Sequence, residues 1–322
     1  ASEALVRVAE HLQAPVVTTA EGRGAISDHH HLSLGGLMLR NDPLGEARFG
    51  HDVILAVGTR LATPHFLGGQ RVIQIDIDPE ELGRNYENTM GIHGDARSSL
   101  EELHKALSAA APARPEDKEA INKLKELRAE SSIRVEPQDS LIAAVRSAMP
   151  DDGILISGMT QLGYYSRTYF PVYQPQSFLT SSYFGNLGYA YPTALGAKVA
   201  QPDKAVVALS GDGGFLFNSQ ELATAVQHGI NAVVVVFNDN AYGNVLRDQV
   251  NRFDGRAIGA ELHNPDFVKL AEAYGARGVR AHGPDELEAS LKEALGIEAP
   301  TLIEVPVGMM PSPFERGLGN PR

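Results

Sequence analysis

Short apolar runs alternate with helix-spaced apolar residues along the whole chain. In the first hundred residues, a helix is predicted over 2–13 and strands are predicted at 16–19, 53–58 and 72–77. These strands are rich in β-branched residues and show little polar alternation, which is typical of strands covered on both faces. Strands that alternate with helical stretches predict a parallel α/β domain.

The same alternation is stronger in the second half of the chain. Strands are predicted at 154–157, 177–180, 205–210, 232–238, 278–281 and 301–305. Helices are predicted at 140–149, 191–200, 219–228, 265–274 and 284–295. The expected fold class is therefore α/β, with two parallel-sheet domains that carry helices on both faces.

The composition changes between the two halves. The Ala- and Pro-rich run 109–115 predicts a hinge, and the charged stretch 116–130 predicts an exposed helix with an apolar stripe at Ile121, Leu124 and Leu127. The predicted division is a Rossmann-like first domain at 1–107, a linker and exposed helix at 108–136, and a second domain with a short C-terminal tail at 137–322.

Composition and charge narrow the classes of partner. Of the 322 residues, 43% are hydrophobic and 21% are charged, as in ordinary soluble globular proteins, and the formal net charge is −12. An acidic chain repels phosphate backbones and anionic lipid, so no nucleic acid and no membrane is expected as a partner. Cysteine is absent, which excludes disulfides, thiolate nucleophiles and cysteine zinc sites. The sequence shows neither a spanning apolar run nor a signal pattern, so a cytoplasmic location is expected.

The residues with the most informative chemistry follow two predicted strands. The strand at 205–210 leads into Gly211-Asp212-Gly213-Gly214, and a helix is expected after these glycines. Ligands bind at the carboxyl ends of parallel strands, and glycine lets the backbone approach a bulky anion. The next strand ends in Asn238-Asp239-Asn240-Ala241-Tyr242-Gly243. Carboxylate and carbonyl oxygens are ligands that Mg²⁺ prefers, so a phosphate and Mg²⁺ site is expected at this edge of the sheet.

Gly-Asp-Gly, an interval of 24 residues at 214–237, and then Asn-Asp together resemble the motif of thiamine-diphosphate enzymes. The resemblance is closest to the acetolactate-synthase-like group, which includes decarboxylases, carboligases and oxidases of 2-oxo acids. It implies that Asp212, Asp239 and the Ala241 carbonyl hold Mg²⁺. The family usually has Asn at position 239, where this chain has Asp.

Further segments resemble the same family in the same order. Residues 157–161 resemble the loop that touches the diphosphate, and 183–192 resemble the segment that holds the aminopyrimidine, with Leu187 bending the cofactor between its rings. Residues 1–105 resemble the central domain of these enzymes. The cofactor-binding residues implied by the resemblance are Thr160, Gln161, Gly185, Leu187, Gly211, Asp212, Gly213, Gly214, Asp239, Gly243 and Asn244.

The resemblance implies thiamine-diphosphate- and Mg²⁺-dependent decarboxylation or carboligation of 2-oxo acids. The family places its catalytic glutamate in an N-terminal pyrimidine-binding domain, which is expected to be missing here. No residue of this chain is therefore assigned a catalytic role, and the chain alone is expected to be inactive. The expected partners are a 2-oxo acid and either further copies of the chain, as a dimer or tetramer, or a separate pyrimidine-domain chain.

Two alternatives stay open. One is a non-catalytic cofactor-binding subunit that needs a separate pyrimidine-domain chain. The other is a nucleotide-dependent oxidoreductase, with 21–24 or the acidic pair Asp76 and Asp78 near the nucleotide; it is disfavoured because neither early strand is followed by Gly-x-Gly-x-x-Gly. FAD is not expected to bind tightly, since bulky residues occupy 37–42, where FAD-binding members usually carry a glycine-rich turn.

Two tempting groups are interpreted as structural. The three consecutive histidines His29, His30 and His31 are difficult to bring onto one ion, which favours a solvated loop over a metal site. Glu221, one helical turn or more beyond the Gly-Asp-Gly segment, is expected to serve packing rather than acid catalysis.

Overall fold

The computed structural model describes residues 1–37, 51–62, 70–132, 134–181 and 184–312. The chain divides into two compact units, and the division falls between residues 133 and 134. Both units consist of parallel sheets with helices, which confirms the predicted α/β class.

The first unit contains two small parallel sheets within its described residues. Its elements are α1 (Ser2–Leu12), β1 (Val16–Thr18), β2 (Ser33–Gly36), β3 (Val53–Val57), β4 (Arg71–Asp76), a 3₁₀ turn (Pro79–Glu81), β5 (Thr89–His93), α2 (Ala96–Ala110) and α3 (Lys118–Ser131). β1 pairs with β2, and β3, β4 and β5 form a three-stranded sheet in that order. Ala4 and Val8 of α1 and Leu100 of α2 pack with Ile75 of β4 to form its core.

The charged helix α3 belongs to the first unit and packs two residues of its predicted apolar stripe, Ile121 and Leu124, into a core of that unit. Ile121 is buried with Ala9 and Leu32, and Leu124 lies against the same cluster. The helix begins after Asp117, whose side chain accepts a hydrogen bond from the Ala120 N–H and thereby caps it. The rest of its surface is largely exposed, as an alternation of charges predicts.

The second unit is built around a six-stranded parallel sheet. Its elements are α4 (Gln138–Ala148), β6 (Ile154–Ser157), α5 (Gln161–Tyr169), β7 (Phe178–Thr180), α6 (Ala190–Ala200), β8 (Val206–Gly211), α7 (Asp212–Leu216), α8 (Glu221–His228), β9 (Val233–Asn238), α9 (Gly243–Arg252), α10 (Phe267–Tyr274), β10 (Arg277–Arg280), α11 (Pro284–Leu295) and β11 (Thr301–Pro306). The strand order is β10-β11-β9-β8-β6-β7, with every pair parallel.

Side chains at alternate positions of the central strands belong to two separate cores, because successive side chains of a strand point to opposite faces. Val207 and Leu209 of β8 join a core formed with α4, α5 and α11. Val206 and Ala208 join a second core formed with α6, α8 and α10. Both faces of the sheet are therefore covered, as the continuous apolar runs predict.

No helix within the described ranges is both long enough and apolar enough to cross a lipid bilayer.

Candidate functional site

A cavity of about 200 Å³ lies where the neighbouring strands β6, β8 and β9 end. The segments where the three strands end form part of its wall, at 159–161 after β6, at 211–214 from the last residue of β8, and at Asp239 and 241–245 after β9. Every residue that the sequence assigns to cofactor or metal binding lines this cavity. These residues are Thr160, Gln161, Gly185, Leu187, Gly211, Asp212, Gly213, Gly214, Asp239, Ala241, Gly243 and Asn244.

Asp212 is the most deeply buried carboxylate of the cavity, with 1% of its surface exposed. Its Oδ1 accepts a hydrogen bond from the Gly213 N–H at 2.8 Å, and its Oδ2 accepts one from Asn264 Nδ2 at 2.6 Å. Burial raises the pKa of this carboxyl, because desolvation disfavours the charged form. The helix expected after the glycines is present as α8 at Glu221–His228, and the structure adds the short helix α7, which begins at Asp212 itself and contains Gly213 and Gly214.

Asp239 adds a second carboxylate to the same wall. Burial, and then the charge of Asp212, raise the pKa of Asp239 to about 6. Its Oδ1 accepts a hydrogen bond from the Ala241 N–H at 3.2 Å. The charge of Asp212 thus raises the cost of ionising Asp239, and a divalent cation between the two carboxylates would relieve this repulsion. The donors therefore fit Mg²⁺, which takes carboxylate oxygens and completes its shell with phosphate and water.

The loop that carries Ala241 is fixed by a short antiparallel bridge. The Tyr242 N–H donates to the Ala260 carbonyl, and the Leu262 N–H donates to the Asn240 carbonyl, each at 2.8 Å. Glycine at 243 leaves room for the Asp239 side chain, because a Cβ there would lie 2.0 Å from Asp239 Oδ2. The missing side chain lets helix α9 begin directly beside the carboxylate.

Two longer helices begin at the cavity wall besides the short α7. Helix α5 begins at Gln161 and helix α9 at Gly243, and in neither does the N-cap side chain bond to the helix. The sequence predicts Gln161 in a loop, and the structure places it at the start of a helix, because Thr160 takes the extended backbone of an N-cap. The N–H groups of a helix start favour anions, so both helix starts suit a diphosphate.

Side chains connect these two helix starts. Gln161 Nε2 donates to Asn244 Oδ1 at 2.8 Å, and a guanidinium N–H of Arg247 donates to the same oxygen. The other end of the Arg247 guanidinium donates to the Met310 carbonyl at 3.1 Å. Helix α5 can approach the end of β6 only because residue 163 is glycine, since a Cβ there would lie 1.9 Å from the Gly158 carbonyl oxygen.

The segment that the sequence assigns to the pyrimidine forms the remaining wall. The Gly185 N–H donates to the Ser181 carbonyl at 2.6 Å, so this amide is already used within the chain. The side chain of Leu187 lies next to Gly214. Phe184 is 85% exposed, whereas Tyr183 lies outside the described residues.

Other candidates from the sequence do not gather at this cavity. His30 pairs with Glu10 at 3.2 Å and stacks on His31, and within the described ranges no cluster of three or more His, Asp or Glu residues could hold a metal. The Glu221 carboxylate accepts a hydrogen bond from Thr224 within its own helix.

The candidate nucleotide residues of the first unit serve local structure in the described part of the chain. Asp76 accepts a hydrogen bond from the Asp78 N–H, and Asp78 caps the 3₁₀ turn at the Glu80 N–H. Arg23 pairs with Asp28 at 2.7 Å. Most of 37–42, on which the FAD expectation depends, lies outside the described residues.

Sequence reasoning misses Asn264 and Glu304, which connect to Asp212. Asn264 donates to Asp212 and also to Asn238 Oδ1 at 2.8 Å, and Asn238 Nδ2 donates to Glu304 Oε1 at 2.7 Å. Asn264 comes from an irregular segment ahead of α10, where no periodic pattern marks it. A buried glutamate inside the apolar strand β11 is a signal that could have found the connection, since buried charges need partners.

Two family models match the chain. Residues 1–103 match "Thiamine pyrophosphate enzyme, central domain", and residues 158–305 match "Thiamine pyrophosphate enzyme, C-terminal TPP binding domain".

Curated relatives agree with these matches. The chain is 35% identical to a "probable acetolactate synthase large subunit" of Methanocaldococcus jannaschii, over 95% of this chain and 55% of the relative. It is 35% identical to a "probable 2-ketoarginine decarboxylase" of Pseudomonas aeruginosa, over 95% and 56%. It is 32% identical to an acetolactate synthase isozyme 3 large subunit of Escherichia coli, over 90% and 54%. The chain thus spans about half the length of these relatives.

Proposed function

Because this chain belongs to the thiamine pyrophosphate enzymes, with an acetolactate-synthase-like sequence, we propose that it binds the diphosphate of thiamine diphosphate through Mg²⁺. Asp212, Asp239 and the Ala241 carbonyl would hold the ion. The proposal depends most on one observation: the buried carboxylate of Asp212 and the partly buried carboxylate of Asp239, both with raised pKa, face the same cavity as the starts of α5 and α9.

The proposed roles of the residues follow from their chemistry. The carboxylates of Asp212 and Asp239 neutralise the ion on the protein side, and the N–H groups at the starts of α5 and α9 stabilise the anion on the other side. Gln161 and Asn244 hold the two helix starts together through their own hydrogen bond. Leu187, next to Gly214, supplies the apolar support on which a bent cofactor would rest.

We propose that the whole enzyme decarboxylates or ligates 2-oxo acids. Thiamine diphosphate supplies the electron sink for breaking or forming a carbon–carbon bond next to a carbonyl. The names of the relatives, an acetolactate synthase and a 2-ketoarginine decarboxylase, support this reaction class. The glutamate that activates the cofactor in this family is proposed to come from a pyrimidine-binding domain, so the 322 residues alone would bind cofactor without turning over substrate.

Calorimetric titration tests the binding proposal. Thiamine diphosphate should bind the wild-type chain in Mg²⁺ buffer and not in EDTA, and inorganic diphosphate should compete for the same site. Asp212→Ala should weaken binding at least about 100-fold, since even residues behind a metal ligand typically contribute roughly 10- to 100-fold. The variant should stay folded, because Asp212 lies at a strand end and its loss creates no large cavity.

The matched control is Asp248→Ala on the exposed face of α9, which should bind like the wild type. Unchanged affinity in the folded Asp212→Ala variant, or binding that is insensitive to EDTA, would refute the metal assignment.

A further inference from the structure

A line of hydrogen bonds extends from Asp212 away from the cavity into the sheet. Asn264 Nδ2 donates to both Asp212 Oδ2 and Asn238 Oδ1, at 2.6 and 2.8 Å. Asn238 Nδ2 donates to Glu304 Oε1 at 2.7 Å, and Glu304 Oε2 accepts from Arg280 Nε at 2.8 Å. We refer to Asn264, Asn238, Glu304 and Arg280 as the support chain.

The strand register places the support chain behind the candidate metal ligand. Asn238 ends β9, and Glu304 and Arg280 are register partners on the neighbouring strands β11 and β10. Glu304 is 4% exposed, so its charge needs both of its partners. The ion pair of Glu304 and Arg280 therefore lies on two strands of the sheet, rather than in a loop.

The positions of the hydrogen-bond donors and acceptors allow only one orientation of each side-chain amide, that of Asn238 and that of Asn264. The Glu304 carboxylate only accepts, so Asn238 must turn its NH₂ toward Glu304 and its Oδ1 toward Asn264. The Asn240 N–H, which also donates to Asn238 Oδ1 at 3.1 Å, favours the same orientation. Asn264 must then point one N–H at Asn238, and its second N–H reaches Asp212 Oδ2.

We propose that Asn264 is a positioning residue that holds the Asp212 carboxylate for the divalent cation, and that buried Glu304 sets its orientation through Asn238. This inference rests on the proposed function. Oδ1 of Asp212 is held by Gly213 and Oδ2 by Asn264, so both torsions of the carboxylate are fixed while further lone pairs stay available to a cation. A side chain that is oriented before binding loses less freedom when the ion arrives.

The support chain makes the Glu304→Gln variant an informative test of this proposal, although Glu304 does not line the cavity. The introduced amide would turn its oxygen toward Arg280 and its NH₂ toward Asn238. Asn238 would then have to present its oxygen to that NH₂ and its own NH₂ to Asn264, which removes the acceptor that orients Asn264. The substitution of Glu304 should thus alter the proposed metal site through the side-chain amides of Asn238 and Asn264.

The test measures the half-saturating Mg²⁺ concentration for thiamine diphosphate binding, by calorimetry at a series of Mg²⁺ concentrations. Asn264→Ala and Glu304→Gln should each raise this concentration at least about tenfold. Asn251→Ala, on the exposed face of α9, and Glu288→Gln, in an exposed ion pair with Lys292, are the matched controls and should leave it unchanged. Thermal melting in EDTA confirms that each variant is folded.

The outcomes separate the two proposals. If the wild-type chain does not bind Mg²⁺ and thiamine diphosphate, the proposed function fails and the positioning role fails with it. If the wild type binds and folded Asn264→Ala keeps a half-saturating Mg²⁺ concentration close to the wild-type value, the positioning role alone is wrong. Should Glu304→Gln not fold, Asn264→Ala decides, because Asn264 lies in an irregular segment and not in a core.

Discussion

At the scale of single residues, Asp239 distinguishes this chain from the family motif, which usually has Asn at this position. Burial and the Asp212 charge raise the pKa of Asp239 to about 6, from 3.8 in the unfolded chain. At a pH between these two values, the Asp239 carboxyl therefore takes up a proton when the metal-free protein folds. Its contribution to stability is fully present below pH 3.8 and is lost as the pH rises through about 6.

We predict that Asp239→Asn stabilises the metal-free chain at neutral pH but not in acid, below the unfolded pKa. A pKa unit corresponds to about 1.4 kcal/mol, and partial exposure screens the repulsion, so the expected gain at neutral pH is roughly 1–2 kcal/mol. Urea denaturation in EDTA across this pH range measures the difference between variant and wild type. Asp248→Asn, an exposed carboxylate of α9, should show no such difference. A difference between Asp239→Asn and wild type that does not change with pH would contradict the coupling of the two carboxylates.

The residues of the proposed metal site differ in how far the sequence predicts them. Asp212 and Asp239 directly follow β-branched strands, so their position at the carboxyl ends of a parallel sheet follows from local pattern. Asn264 reaches Asp212 through a fold-dependent approach of residues that are 52 positions apart. Hydrophobic periodicity carries no information about such a polar contact.

At the scale of elements, the hydrophobic pattern predicts the strands of the second unit well but misses the short helix α7 and two longer helices, α5 and α9, at the cavity. Helices α5 and α9 begin with Gln161-Leu162-Gly163 and Gly243-Asn244-Val245, in which glycine, asparagine and valine are weak helix formers. Packing against the sheet overrides these local preferences. The glycines that weaken the prediction are the residues that permit the close approach to Gly158 and Asp239.

Gly243→Ala should weaken Mg²⁺-dependent thiamine diphosphate binding at least about tenfold while the unit stays folded. The new Cβ would lie 2.0 Å from Asp239 Oδ2, so this flexible carboxylate would have to leave its present position in the cavity wall. The control is Gly196→Ala within α6, where a Cβ meets nothing within 4 Å. It should leave binding unchanged and raise the free energy of unfolding by about 0.5–1 kcal/mol. Calorimetry and urea denaturation check both, and equal affinities for the two variants would argue against the role given to Asp239.

At the scale of the whole molecule, the second unit exposes apolar side chains beside its cavity. Phe184, which is 85% exposed, directly precedes Gly185 of the cavity wall, and Phe217, which is 56% exposed, lies against Gly188. Large exposed apolar groups that cluster around a site are typical of surfaces that bind another protein. The local sequence predicts apolar surface near 183–191, but Tyr189 is only partly exposed and Tyr191 is buried in the core with Phe215.

We predict that the chain self-associates through this face and that Phe184→Asp shifts it toward monomer. A carboxylate at 184 would have to be desolvated on association, which costs more free energy than the phenyl ring gains there. Multi-angle light scattering over a range of protein concentrations measures the change. Val199→Asp is the control, because Val199 is also apolar and 65% exposed but lies at the other end of α6, far from the helix start that follows Gly188. A wild-type chain that stays monomeric at high concentration, or an equal effect of both substitutions, would show that this face does not join two copies.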